Sequence, residues 1–113
     1  MWEVRYHPKA LDERDKLTVQ ERAAIAKAVE KLNLFGPNLP HPHQSAVRGS
    51  GAEGIRELRP RAGWSRWRPL YGRVGDVFVI LAVGPEAQTD RRRFAGAVRA
   101  AKERLVDVEG EEA

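Results

Sequence analysis

The chain has 113 residues, a hydrophobic content of 42% and no cysteine. A chain of this length predicts one domain with a single core, and the lack of cysteine excludes disulfide bonds and thiolate metal sites. No apolar run approaches the roughly 20 residues of a membrane-spanning helix, and the N-terminus has no signal-peptide pattern. We therefore expect a globular protein that acts in the cytoplasm.

Positive charge is concentrated in the second half of the chain, although the formal net charge is only +4. Residues 54–104 contain 12 Lys/Arg and 5 Asp/Glu. Residues 1–53 contain 8 Lys/Arg and 7 Asp/Glu, and residues 105–113 contain no Lys/Arg and 4 Asp/Glu. Eleven of the twelve cations are arginine, which binds phosphate through two donors and stacks on bases. This distribution predicts a nucleic-acid partner. The alternative is that arginine usage reflects genome composition and a solvated face.

The N-terminal part predicts a strand followed by a helical hairpin. Residues 2–6 alternate apolar and charged side chains, which is typical of a half-buried strand. A short helix is predicted over residues 9–16 and a longer one over residues 19–34, whose apolar positions recur every three or four residues. Thr18 is a good N-cap for the longer helix, and Glu21 completes a capping box with it.

Residues 36–53 are predicted to form a long loop without regular structure, because the segment contains three prolines and three glycines. His41 and His43 raise the question of a metal site. A segment with alternating prolines gives no rigid ligand spacing and no third ligand is near in sequence, so we expect no metal.

Residues 54–84 predict three consecutive antiparallel strands, separated by turns at residues 61–63 and 74–76. The last run, Val77 to Val83, has seven consecutive apolar residues and is expected to be the centre of the sheet, covered on both faces. The two strands before it interleave arginine with apolar residues, so one face is expected to pack on a core and the other to present guanidinium groups to a polyanion. The arginines in this pattern are Arg56, Arg59, Arg61, Arg66, Arg68 and Arg73.

A final helix is predicted from Arg91 to about Val106, with Thr89 or Asp90 as its cap. Three arginines begin this helix, and their positive charges interact unfavourably with the positive end of its macrodipole. A bound anion would compensate this repulsion; the alternative is that solvent screens the three charges. The acidic segment 107–113 is predicted to be a disordered tail. The predicted domain is therefore residues 1–106.

Several short motifs occur in a characteristic order. They are Leu34-Phe35-Gly36-Pro37, Gly49-x-Gly51, Ile55-x-Glu57-Leu58-Arg59, Arg68-x-Leu70-Tyr71 and Ala82-Val83-Gly84. Together, over roughly residues 2–105, they resemble the RelE/ParE superfamily of toxins, with most similarity to its HigB-like, phage-derived branch. The resemblance implies an α+β fold of the RelE type. In that fold a small antiparallel sheet, made of the N-terminal strand and a three-strand meander, packs on a two-helix hairpin and is followed by a C-terminal helix.

The same resemblance implies the toxin of a type II toxin–antitoxin pair, neutralised by a cognate antitoxin. RelE- and HigB-like members cleave mRNA on the ribosome, without a metal or other cofactor, so the expected activity is that of an endoribonuclease, an mRNA interferase that inhibits translation. Two alternatives stay open. One is a poison of DNA gyrase, as in the ParE branch, and the other is a non-catalytic module that binds RNA or an acidic protein.

Metal-independent RNA cleavage needs cations that stabilise the phosphorane, together with a general base and a general acid. Arg59 and Arg68 match the family's positions for the cationic role, and Tyr71 is the candidate acid. Strand alternation places Tyr71 on the face opposite Arg68, unless a bulge at Pro69 changes it. Glu57 is interpreted as an ion-pair partner rather than as the base. The predicted RNA-binding residues are Arg56, Arg61, Arg66, Arg91, Arg92 and Arg93.

Two further features bear on this hypothesis. The family often carries histidine, lysine or arginine after the last strand, but this chain has Pro85 and Glu86 there. Trp64 and Trp67 flank Arg66, where an exposed indole would stack on a base; for Trp67 we favour a place in the core.

Overall fold

The structure is a computed structural model that describes residues 1–49 and 51–112. Its helices and strands confirm the predicted α+β class. In chain order they are β1 (Glu3–Tyr6), α1 (Pro8–Asp15), α2 (Val19–Phe35), β2 (Gln44–Ala46), β3 (Arg56–Leu58), β4 (Trp67–Val74), β5 (Val77–Pro85) and α3 (Arg91–Glu112). Two short 3-10 turns lie at Gly36–Asn38 and Pro60–Gly63. None of the helices in the described residues is long and apolar enough to cross a membrane.

The five strands form one sheet in the order β1-β5-β4-β3-β2. Strands β3 to β5 are antiparallel neighbours, as predicted for the meander, and β2 adds an antiparallel strand beside β3, but β1 runs parallel to β5. The expectation of a wholly antiparallel sheet is wrong at this one pair, because alternation in β1 specifies its buried face and carries no information about the direction of its neighbour. Strand β5 is an interior strand, and β4 rather than β5 is the middle one.

Helix α2 begins as predicted, with the Thr18 hydroxyl accepting a hydrogen bond from the Glu21 amide at 3.2 Å. The Glu21 carboxylate does not complete the capping box. It instead accepts a hydrogen bond from the hydroxyl of Ser65, at 2.7 Å. The buried stripe of α2 packs on one face of the sheet, and the first core contains Ile25, Leu32, Leu58, Tyr71, Phe78 and Ile80.

Helix α3 covers the opposite face of the sheet. Its buried residues Ala101 and Leu105 form a second core with Leu70, Val79 and Leu81. This contradicts the expectation that the face away from the helical hairpin presents a row of guanidinium groups, because an apolar helix stripe occupies it.

The approach of α3 to β5 is close. A Cβ atom at Gly84 would lie 2.6 Å from the Cβ of Ala97, so the contact requires glycine in the strand. Helix α3 also continues to Glu112, so the predicted end near Val106 is wrong, and residues 107–112, predicted as a disordered tail, are helical. Ala113 lies outside the described residues.

The 36–53 segment contains a strand that the sequence analysis missed. Strand β2 pairs with β3, from Gln44 opposite Leu58 to Ala46 opposite Arg56. Its prolines precede the strand and remove no ladder hydrogen bond from it, so proline content alone was a poor guide to the whole segment.

The open edge of β5 beyond the end of β1 is covered by a charged pair from two helices. Arg104 of α3 donates to both carboxylate oxygens of Glu13 at 3.1 and 3.0 Å, and also to the Leu81 carbonyl at 2.7 Å. Glu13 in turn accepts from the Val83 amide at 3.0 Å. The Leu81 carbonyl and the Val83 amide at the edge of β5 thereby have hydrogen-bond partners. The pairing of β4 with β5 shifts register in the same stretch, since Leu70 faces Ala82 and the next residue of β4 faces Ile80.

We expect Arg104→Met to lower the free energy of unfolding by about 2 kcal/mol, because it leaves a carboxylate and a strand carbonyl without their charged donor. Urea denaturation followed by circular dichroism measures this change. Arg5→Met is the control, since Arg5 pairs with Glu3 on the exposed surface and its loss should change stability by less than about 1 kcal/mol. Equal midpoints for the two variants would contradict this account of the edge.

Candidate nucleic-acid interface

Arg59 and Arg68 lie together at one end of the sheet, in an open groove of about 420 Å³. We call it the arginine groove. Its lining also includes Glu57 from β3, Glu86 after β5 and Phe94 from the first turns of α3. The groove exists because Trp67 and Arg68 at the start of β4 pair with the end of β5, next to the point where α3 begins.

Arg68 is almost fully buried, with 3% of its side chain exposed. Its Nη2 donates to Glu86 Oε2 at 2.7 Å and to the Gly63 carbonyl at 3.4 Å, and its Nη1 donates to the Ser65 carbonyl. Burial lowers the pKa of the Arg68 guanidinium, and the carboxylates of Glu57 and Glu86 oppose that shift. The Nε atom of Arg68 is buried and has no hydrogen-bond partner within the described residues.

Arg59 is half-buried beside it and is held by Glu57. Its Nη1 lies 3.2 Å from Glu57 Oε1, which also accepts from the Ser45 hydroxyl at 3.1 Å. The interpretation of Glu57 as an ion-pair partner is therefore confirmed. In the described part of the chain the Arg59 Nε atom, like that of Arg68, is buried without a partner.

The two arginines and two carboxylates form a compact ion-pair cluster. Glu86 pairs with Arg68 and also accepts from the Thr89 hydroxyl at 2.7 Å, whereas Glu57 lies 3.2 Å from Arg59 and 3.9 Å from Arg68. The prediction that these guanidinium groups are freely presented is wrong, because burying Arg68 would be costly without a paired carboxylate. The cluster still holds forked donors at the floor of an open groove, so an anion that replaces one carboxylate would meet ready hydrogen-bond donors.

Tyr71 does not join this cluster. It is 2% exposed in the core on the α2 side of the sheet and packs edge-on against Phe78, with ring centroids 5.8 Å apart. The register shift involves an extra residue in β5 rather than a bulge at Pro69, so Tyr71 stays on the face opposite Arg68. Burial raises its pKa, an effect that Arg56 partly offsets. The grouping of Tyr71 with Arg59 and Arg68 as catalytic residues is therefore corrected.

The remaining predicted RNA-binding arginines are distributed around the molecule. Arg56 is exposed beside Tyr71 in a separate groove of about 320 Å³. Arg61 pairs with Glu21 at 3.4 Å. Arg66 and Arg93 lie over the ring of Trp67, with their guanidinium carbons 4.9 and 5.7 Å from the ring centroid.

Arg91 and Arg92 are exposed in the first turn of α3, where Asp90 caps the helix by accepting from the Arg93 amide at 3.0 Å. Arg73 lies at the far turn, beside Asp76. Of the six arginines predicted for the strands, therefore, Arg59 and Arg68 are the two that line the arginine groove.

The Pro60–Gly63 turn separates the arginine groove from a second groove. Arg61 and Ala62 have φ values of +56° and +55°, a left-handed conformation that costs energy for residues with a Cβ. Glu21 of α2 holds this turn through its contacts with Arg61 and Ser65. Directly after it Trp64 is 89% exposed, whereas Trp67 packs against the first core, as expected.

The second groove contains side chains that the sequence analysis did not select. Lys27 and Lys31 of α2 line it together with His43, Arg59 and Arg61, and its volume is about 310 Å³. The available signal was the spacing of four residues between the lysines, which places both on one side of the helix. Among the described residues, no three histidine, aspartate or glutamate side chains are grouped to hold a metal ion.

Comparison with known proteins identifies relatives of this fold. A family model described as phage-derived protein Gp49-like (DUF891) matches residues 12–104. The isolated RelE toxin of Escherichia coli is 20% identical with a TM-score of 0.60, over 84% of this chain and 95% of that one. The toxin–antitoxin complex RelBE2 of Mycobacterium tuberculosis is 23% identical with a TM-score of 0.57, over 75% of this chain and 98% of that one.

The archaeal RelE–RelB complex of Pyrococcus horikoshii gives 16% identity and a TM-score of 0.55, over 77% of this chain and 97% of that one. No curated protein sequence matches the chain. The structural similarities confirm the predicted RelE-like fold.

We expect Glu86→Gln to raise the affinity of the arginine groove for inorganic phosphate by about tenfold, or about 1.4 kcal/mol. The substitution removes one competing negative charge and keeps a carbonyl oxygen that can accept from Arg68. Titration with phosphate, followed by NMR of the arginine Nε–H signals, measures the affinity. Asp76→Asn is the matched control, because Asp76 pairs with Arg73 at the far turn. Equal affinities for both variants would refute competition between Glu86 and the anion.

Proposed function

The chain belongs to the phage-derived Gp49-like family, and from this membership and its RelE-like fold we infer that it is the toxin of a toxin–antitoxin pair. Two structures similar to it are complexes of a RelE-type toxin with its antitoxin. A cognate antitoxin is therefore the proposed protein partner, and the cytoplasm the proposed site of action. The strongly basic segment 54–104 supports binding of an acidic partner segment.

The proposed activity is metal-independent cleavage of mRNA on the ribosome. The observation that carries it is the pair of arginines in the arginine groove, Arg59 and Arg68, each with a buried Nε that has no hydrogen-bond partner in residues 1–49 and 51–112. A phosphate that displaces Glu57 and Glu86 would supply acceptors for these guanidinium groups, including the Nε donors that the carboxylates leave without a partner. Charge-assisted contacts of this kind strengthen as the phosphorane gains negative charge.

The chemical step then follows from the groups that line the groove. Glu86, released from Arg68 by the incoming phosphate, accepts the proton of the attacking 2′-hydroxyl. The 2′-oxygen bonds to the adjacent phosphorus while the bond to the 5′-oxygen breaks, leaving a 2′,3′-cyclic phosphate. Because Tyr71 lies on the other face of the sheet, the leaving 5′-oxygen takes its proton from water.

A second candidate function is a non-catalytic module that binds RNA or an acidic protein. The neutralised cluster of Arg59, Arg68, Glu57 and Glu86 favours it, since a toxin that acts on phosphate needs cations that are available. Glu86 also occupies the position after the last strand where the family often carries a basic side chain. The two functions differ in whether RNA is cut.

Induction of the chain in bacterial cells, followed by mapping of mRNA 5′ ends, distinguishes the possibilities. We expect cuts within translated codons, and Arg59→Ala should reduce them about 100-fold because one donor to the phosphorane is lost. Arg68→Lys should also reduce them, since an ammonium group lacks the forked donors. Arg73→Ala is the control, as its guanidinium lies at the far turn, and circular dichroism checks that each variant folds.

Other outcomes would replace this proposal. Growth arrest with intact mRNA and induction of the DNA-damage response would indicate gyrase as the target. RNA binding with neither cleavage nor arrest would indicate the non-catalytic module.

A further inference from the structure

The second groove is built on the exposed side of α2, and we call it the α2 groove. Lys27 and Lys31 line one wall and both are exposed. They lie four residues apart, about one helical turn, so their ammonium groups project from the same side of the helix. Neither lysine forms an ion pair within residues 1–49 and 51–112, in contrast to Arg59 and Arg68 of the other groove.

The opposite wall is fixed by hydrogen bonds. Arg61 donates to Glu21 at 3.4 Å and to the Gln20 carbonyl at 3.5 Å, which ties the Pro60–Gly63 turn to the start of α2. The Arg59 amide donates to the His43 carbonyl at 2.9 Å, which holds the residue before β2 beside β3. The cations of this wall therefore lie on a rigid frame.

The floor between the walls consists of small side chains. Ala24 and Ala28 are buried and Ala23 is exposed, and all three line the groove. Small residues let a chain approach the helix closely, but they offer no large apolar pocket for the anchors of an amphipathic protein segment. Among residues 1–49 and 51–112, no aspartate or glutamate belongs to the lining of this groove. These features suit a polyanionic backbone better than a folded protein partner.

The α2 groove and the arginine groove share one residue. Arg59 lines both, so the two grooves adjoin at this residue, next to the Pro60–Gly63 turn. A strand whose scissile phosphate lies at Arg59 and Arg68 can therefore continue past Arg59 along α2.

We propose that the α2 groove binds the phosphodiester backbone of the single-stranded RNA that flanks the nucleotides held in the arginine groove, with Lys27 and Lys31 as its phosphate contacts. This inference rests on the proposed function for the identity of the strand. Single-strand binding through cations that follow the backbone is largely independent of base sequence, so the groove would extend affinity rather than select codons.

Binding of a fluorescently labelled, 2′-O-methyl single-stranded oligonucleotide to the whole protein tests the proposal, because this RNA cannot be cut. Each phosphate contact contributes a slope of about −0.7 to the dependence of log K on log salt concentration. Lys27→Gln with Lys31→Gln should therefore reduce the slope by about 1.4 and weaken binding about 25-fold at 0.1 M salt. The control is Lys9→Gln with Lys16→Gln, which removes the same charge from α1 and from the residue after it, outside the groove.

The outcomes separate this inference from the proposed function. Equal losses in the two double variants would overturn the α2 groove while leaving RNA binding, and so the proposed function, intact. No binding by the unaltered protein at low salt would overturn the α2 groove, whereas the proposed cleavage on the ribosome is tested separately by the mapping of mRNA 5′ ends. An RNA duplex that binds the unaltered protein as tightly as the single strand, with the same loss in the Lys27/Lys31 variant, would also overturn the assignment to single-stranded RNA.

A second measurement does not depend on affinity. The chain has no cysteine, so Ala23→Cys introduces a unique thiol in the groove, and Ala26→Cys places one on the same helix outside it. Both positions are exposed. We expect the oligonucleotide to slow maleimide modification of Ala23→Cys several-fold and to leave Ala26→Cys unchanged. Equal rates with and without RNA for Ala23→Cys would overturn the proposal.

Discussion

The architecture depends on covering both faces of β5. This strand is apolar along nearly its whole length, and its residues are divided between two cores, with Phe78 and Ile80 under α2 and Val79 and Leu81 under α3. Burial of apolar surface is the dominant favourable term in folding, so two helical layers are required. Charged side chains are thereby excluded from both faces at the centre of the sheet and are confined to its rim and ends.

That confinement explains the composition of the candidate site. Arg68 lies on the same face as the α3 core but at the end of the sheet, where Gly63 and Phe94 line the same groove and the Gly63 carbonyl accepts from its guanidinium. A buried guanidinium is costly unless it is paired, and Glu86 and Glu57 supply the pairing. Under the proposed function, the atoms that would bind phosphate are therefore the same atoms that neutralise one another. Substrate binding would then exchange one anion for another.

The sequence predicted the elements better than their spatial arrangement. Apolar periodicity and the Thr18 cap located both hairpin helices, and the run from Val77 identified an interior strand. The same run is apolar on both faces, which implies that a second layer of helix covers the sheet. This implication is incompatible with the predicted open face of arginines. The pairing of Glu86 with Arg68 was not predictable, because 18 residues separate them and only the antiparallel register of β4 and β5 brings them together.

The Pro60–Gly63 turn links the stability of the fold to the geometry of the interface. Two left-handed residues make it unfavourable in isolation, and Glu21 compensates by contacting Arg61 and Ser65 instead of closing the capping box of α2. Helix α2 therefore gives up one local hydrogen bond to fix a long-range contact. The turn in turn forms a wall of both grooves, with Arg61 facing α2 and Gly63 facing Arg68. A carboxylate that sequence pattern assigns to helix capping thus holds the turn that lies between the two grooves.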